Sequence, residues 1–215
     1  MVKKRVKVFQ RKKHFSIVSE YEKCFAFLKE SKDFIYSTIL LFFIFGVIGF
    51  FFQDIVQLVF RSLFKIDLNA QLLEYLKNLI LQTQGMDYSQ LMGFIFLNNI
   101  QSSFLGLAFG IFFGIFPLIS LLFNGYVLGF VAAISVKVSG MGILWKILPH
   151  GIFELPAVFI SLGLGIKLGS YLFVHRKKSS FKEWLINSLR IFLLVVFPLL
   201  VVAAIIEATL IIFVG

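Results

Sequence analysis

Five long apolar runs, separated by polar or basic stretches, set the pattern of this chain. They read as Phe34–Phe52, Phe94–Phe116, Leu118–Val138, Leu148–Phe173 and Ile191–Phe213. As helices, each is long enough to cross a hydrocarbon layer of ~30 Å. Three shorter segments alternate with helical spacing instead. Ile17, Tyr21, Cys24 and Leu28 form one stripe, Leu68, Leu72, Tyr75, Leu76, Leu79 and Ile80 a second, and Phe181, Trp184, Leu185 and Ser188 a third. Such amphipathic helices lie in the interface plane or pack on helix ends. In the second, Asp67 or Asn69 can cap the start and Gly85 can end it. The pattern predicts an all-α fold: a polytopic transmembrane helical bundle of about five spans with short interfacial amphipathic helices. Its parts are a basic segment over 1–33 and a transmembrane domain over 34–215, with an outer loop at 53–93 and core spans within 94–173.

One boundary is ambiguous. Leu91–Val138 is a single apolar stretch punctuated only by Pro117 and by Asn124-Gly125. A turn near Pro117 gives two good spans, whereas a turn at Asn124 makes the second span too long and draws Lys137 into the third. A broken or re-entrant segment around Asn124 is the alternative, since irregular backbone at depth is tolerated where it lines a cavity.

Composition agrees with the pattern. The chain is 59% hydrophobic and 15% charged, with 29 Phe among 215 residues, more apolar surface than a soluble domain of this size can bury. Charge then orients it. Residues 1–33 hold ten Lys and Arg and 174–190 hold five, whereas 53–93 holds three against four acids. The positive-inside rule places the N-terminus and 174–190 in the cytoplasm and, with five spans, 53–93 and the C-terminus outside a cell membrane. The net charge of +10 is thus a topological signal and an attraction to anionic membrane lipid. A nucleic-acid partner is not expected, because the bases are split between two juxtamembrane stretches. The leader is too long for a signal-peptide n-region, so the first span is expected to be an uncleaved anchor. The single cysteine, Cys24, excludes an internal disulfide and a cysteine-based zinc site.

The three middle spans carry small residues every four positions: Ser102, Gly106, Gly110 and Gly114; Gly125, Gly129 and Ala133; Ala157, Ser161, Gly165 and Gly169. Such ridges let helix backbones approach closely in lipid. They predict a core of spans two to four, with spans one and five outside it. A homo-oligomer is an expectation the ridges allow without requiring.

The same spans hold the intramembrane polarity: Asn98, Asn99, Gln101, Ser102 and Ser103 in the second, Asn124 in the third, His150 and Glu154 in the fourth. His150 and Glu154 are four apart and share a helix face, and Pro149 suits a first helical turn. An isolated ionised group in hydrocarbon is costly, so these residues need partners or water. Asn98–Ser103 and His150–Glu154 both fall toward the outer leaflet, where they can meet. Lys167 is expected to snorkel to the interface. Glu207 is expected to reach headgroups or pair with Lys137 or Lys146. His14 and His175 are expected at the surface.

The order of these features resembles the stage II sporulation protein M family of integral membrane proteins. The matching residues are Asn98-Asn99 and the glycines after them, Asn124-Gly125 with Gly129, the run Pro149-His150-Gly151-Ile152-Phe153-Glu154-Leu155-Pro156-Ala157, and Gly165 with Gly169. The resemblance covers about residues 90–175. It implies a multi-span inner-membrane protein. The founding member acts in endospore engulfment, with partners that remodel peptidoglycan, while most relatives occur in organisms that never sporulate. The sporulation name is therefore not carried over as the function.

Three chemistries remain for the polar cluster. The leading one is a hydrogen-bond lock, in which His150 and Glu154 pair with Asn98, Asn99 or Lys146 inside a scaffold that binds a membrane or envelope protein partner. The second is transport of an ion or small solute past His150 and Glu154. The third is an intramembrane metal-dependent hydrolase. H-x-x-x-E supplies one histidine rather than the two of H-E-x-x-H, so a metal on His150 and Glu154 needs ligands from elsewhere. No serine or cysteine stands in a nucleophile motif, no catalytic residue is assigned, and no cofactor is indicated.

Overall fold

In the computed structural model, residues 17–174 and 180–213 are described, with the backbone alone at 145–150. The basic positions 3–13, His14, His175 and Arg176–Lys178 lie outside them. Among the described residues the chain forms α1 (Ile17–Glu30), α2 (Lys32–Phe51), α3 (Gln53–Phe64), α4 (Leu68–Thr83), α5 (Tyr88–Ala108), α6 (Ile115–Ser139), α7 (Leu144–Ser170), α8 (Phe181–Ile191) and α9 (Phe197–Phe213). Five segments are long and apolar enough to cross a membrane: Lys32–Phe51, Tyr88–Ile111, Ile115–Ser139, Gly151–Phe173 and Phe181–Phe213. The protein is a multi-pass helical membrane protein.

Local chemistry sets the boundaries. The Asp67 carboxylate accepts the Ala70 N–H at 3.0 Å and caps α4. Asp87 and Gln90 close a capping box at α5, and Ser180 and Glu183 close another at α8. The turn between spans two and three is tighter and earlier than Pro117 suggests. It runs through Phe113 and Gly114, both left-handed at φ 57° and 70°. Pro117 then sits in the first turn of α6, where its missing N–H costs nothing. Helix α6 continues unbroken through Asn124 and Gly125, so the re-entrant alternative fails. Helix α7 begins at Leu144, which puts Pro149 in its second turn rather than its first.

The stretch 53–93 is more ordered than a polar loop. Gln53–Phe64 forms a helix that the pattern did not foresee, and α3 and α4 make a hairpin. Lys65, left-handed at φ 60°, ends α3, and the Gln57 side chain accepts the Asn69 N–H at 3.0 Å. Leu72 seats the hairpin against Tyr126 and Phe130 of α6. At the other end, α8 runs into α9 through one π turn over Phe192–Val196. This wider turn lies just before Pro198, whose ring and missing N–H disrupt regular α geometry four residues back.

The glycine ridges are used within the chain, but not in the expected grouping. Span one packs backbone to backbone on span three. A Cβ on Gly125 would come within 2.5 Å of the Phe42 carbonyl oxygen, one on Gly129 would strike the Gly46 carbonyl, and one on Gly49 the Tyr126 carbonyl. A second seam joins α5 to α7: a Cβ on Gly110 would lie 2.5 Å from the Gly165 Cα, and one on Gly169 would strike the backbone of Phe113 and Gly114. Gly106 is less demanding, since it faces only the Leu162 side chain. The seam with span one escaped the four-residue pattern because Gly46 and Gly49 are three apart. Helix α7 is central, with half of its span buried against 17% for α2. It also meets α2, where Phe42 and Phe159 pack edge to face at 5.1 Å, and α9, where Val196 and Leu200 reach Leu164 and Leu168.

Candidate polar site in the membrane

The fold brings together part of the expected cluster. Antiparallel packing of α5 on α9, with Leu91 and Ile95 against Ala204 and Ala208, places Asn98 and Asn99 near Glu207. These three residues line a cavity of about 440 Å³ whose other walls come from Leu79, Ile80 and Thr83 of α4 and Ile211 and Ile212 of α9. Asn98 donates to the Asn99 side chain at 3.3 Å. Glu154 is half-buried on α7 and lies within electrostatic range of Glu207. The α7 backbone puts His150 one turn before Glu154; its side chain is outside the description.

Other expected members are elsewhere. Asn124 is exposed and donates to the Ser120 carbonyl and hydroxyl of its own helix at 2.8 and 3.2 Å, which satisfies it locally. Ser103 meets the fourth span through its backbone: its carbonyl accepts the Ser161 hydroxyl at 2.6 Å. Glu207 is the residue that sequence reasoning undervalued. A lone acid in the most apolar span was a signal of the same kind as Glu154, but its nearness to the terminus suggested headgroups instead.

A second polar site stands at the opposite end of α7. Lys167 does not snorkel outward. It is 2% exposed, donates to the Ser31 hydroxyl at 2.8 Å, lies 3.5 Å from a Glu30 carboxylate oxygen, and sits 3.7 Å from the Phe27 ring centroid and 4.9 Å from that of Trp184. The bend at Ser31 between α1 and α2 aims these groups inward. Nearby, Glu20 pairs with Arg190 and Lys23, and these partners, Lys23 first, hold its carboxyl below the usual range. Cys24 is buried among them, and burial pushes its thiol up.

Among the described residues no group of three or more His, Cys, Asp or Glu stands where it could hold a metal; the His150 side chain is not among them.

A family model described as Stage II sporulation protein M matches residues 38–210. An uncharacterized protein of Methanocaldococcus jannaschii is 36% identical over 119 residues, covering 53% of this chain and 66% of the relative. The match thus spans just under two thirds of that relative's length. No solved structure matches.

Proposed function

Because the chain belongs to the stage II sporulation protein M family, a family of multi-pass membrane proteins, we propose that it is a non-enzymatic membrane scaffold that presents a surface to an envelope or membrane protein. Its N-terminus is cytoplasmic and its C-terminus external in this reading. The observation that carries it is the α3–α4 hairpin. One side is anchored by Leu72 on α6, while Leu58, Leu63, Phe64, Leu73 and Leu81 are exposed. A run of exposed apolar side chains outside the spans suits a partner surface. The backbone-to-backbone seams favour a fixed frame over a rocking one, because a Cβ has no room in them.

The test is photo-crosslinking in cells from positions 58 and 73. A discrete protein adduct that disappears with Leu63→Asp, in a protein that still folds, supports the scaffold. Adducts to lipid alone at both positions overturn it. Thiol labelling at Asn69→Cys in a cysteine-free background tests orientation, with external labelling expected.

A second reading rests on the cavity of Asn98, Asn99 and Glu207, with Glu154 in range. Membrane carboxylates beside amides suit the binding of a cation or small polar solute. Cation flux into proteoliposomes that is abolished by both Glu154→Gln and Glu207→Gln would favour this reading over the scaffold.

A further inference from the structure

Helix α1 is attached to the bundle differently from every span. It lies outside the five candidate spans and buries only Cys24 and Phe27. These insert into a cluster with Leu168, Trp184 and Ile191. An open groove of about 360 Å³, walled by Ile17, Ile186, Leu189 and Leu193, runs between α1 and α8, so the contact is not filled. Few buried apolar contacts mark a segment that opens locally, below the cost of global unfolding. Two polar contacts add to these: Glu20 pairs with Arg190 of α8, and Lys167 of α7 is buried under the arm. An ammonium buried this far costs several kcal/mol unless it is partnered. Its partners come from Phe27 and Glu30 of α1, from Ser31 at the α1–α2 link, and from Trp184 of α8. If α1 leaves, the same flexible four-carbon stem lets Lys167 reach water. Both arrangements therefore satisfy the charge.

We propose that α1 is a latched arm, with Lys167 as the catch, that can swing away from α7 and α8 while the five-span bundle stays folded. On the arm itself the catch is the Phe27 ring; the Ser31 hydroxyl at the hinge and the Trp184 ring of α8 complete the enclosure of the ammonium. The ion pair with Glu30 contributes little, because that carboxylate is 57% exposed and such pairs are weak. In sequence, the arm is preceded by Lys3, Lys4, Arg5, Lys7, Arg11, Lys12 and Lys13, so the latch governs how the most basic segment of the chain is tethered.

Cys24, the only cysteine, is a built-in reporter, buried when the arm is down. Alkylation of the full chain in lipid nanodiscs by N-ethylmaleimide should be slow. Lys167→Gln should raise its rate by about tenfold or more, the scale expected from losing a charged hydrogen bond, with the melting temperature of the bundle little changed. Glu30→Gln should change the rate less than about threefold. Lys167→Met keeps the stem packing and should fall between the two, and it carries the test if Lys167→Gln fails to fold. An unchanged Cys24 rate in a folded Lys167 variant overturns the proposal. So does a rate that rises only in step with loss of the whole bundle, since Lys167 would then be part of the global fold rather than a catch.

Discussion

The two ends of α7 treat ionisable groups in opposite ways. At Lys167 the charge is enclosed, hydrogen-bonded to Ser31 and covered by two rings. At Glu154 the side chain is half-buried, and among the described side chains another carboxyl, that of Glu207, lies within range. The first encloses an ammonium among partners; the second sets one carboxyl within range of another. A helix that carries both keeps an enclosed lysine at one end and a half-buried acid at the other.

The strongest way to break this contrast lies between the two ends. Gly165→Leu would drive a side chain into the Gly106 carbonyl, which a Cβ alone would already approach to 2.5 Å. It should destabilise the protein by more than the ~1–3 kcal/mol of ordinary overpacking, lowering the yield of folded protein and exposing Cys24 at once. A tolerated leucine, seen as an unchanged melting temperature, would show that the ends are not joined through this seam.

The next test sets neutral variants against each other. Glu154→Gln should hold or raise the melting temperature, since an amide costs less to bury than an ionisable carboxyl and keeps hydrogen-bonding capacity, and it should leave the Cys24 rate unchanged. Glu154→Leu, which removes that capacity, should cost more, roughly 1–3 kcal/mol. If Glu154→Gln is as damaging as Glu154→Leu, the carboxyl itself is needed and an amide does not replace it.

The smallest effect concerns acid. Glu20 is depressed in the folded state by Lys23 and Arg190. Its contribution is therefore present above the ordinary carboxylate value and is lost as pH falls through the lower folded value. Trp184 fluorescence in a Trp145→Phe background should thus hold from neutral pH down to about 4.5, the ordinary value, and change only below it. A change between pH 7 and 6 would show that a group other than Glu20 titrates at this face.

Much of the architecture was legible because hydrocarbon imposes it. Span number, the amphipathic helices and the Asp67 cap follow from length, spacing and capping chemistry. The ridges at 106–114, 125–133 and 157–169 announced close approach but not which ridge met which, because spacing carries no information about partners. Helix α3 escaped notice because Gln53, Asp54, Gln57 and Arg61 made the segment look like a loop, although they leave apolar positions between them. Glu154 was recognisable from its apolar setting, whereas its neighbour Glu207 is 53 residues away in sequence and was joined to it only by the packing of α7 on α9. Lys167 was misjudged because a lysine near a helix end ordinarily reaches water, and only the bend at Ser31 brings its partners inward.

The π turn at Phe192–Val196 also fixes the phase of the last span. Inward positions run Trp184, Ser188 and Ile191 before it, Phe192 and Val196 within it, and Leu200, Ala203, Ala204 and Ala208 after it. A helix continued from Trp184 at 3.6 residues per turn would instead turn Leu199 and Val202 inward. The turn holds about one residue of surplus, so α8 and α9 behave as two phases of one rod. Deleting a single residue there would rotate the outer half of the span by about 100° relative to α8, swinging Glu207 off the cavity shared with Asn98 and Asn99, whereas deleting a residue beyond Phe213 would leave the phase untouched.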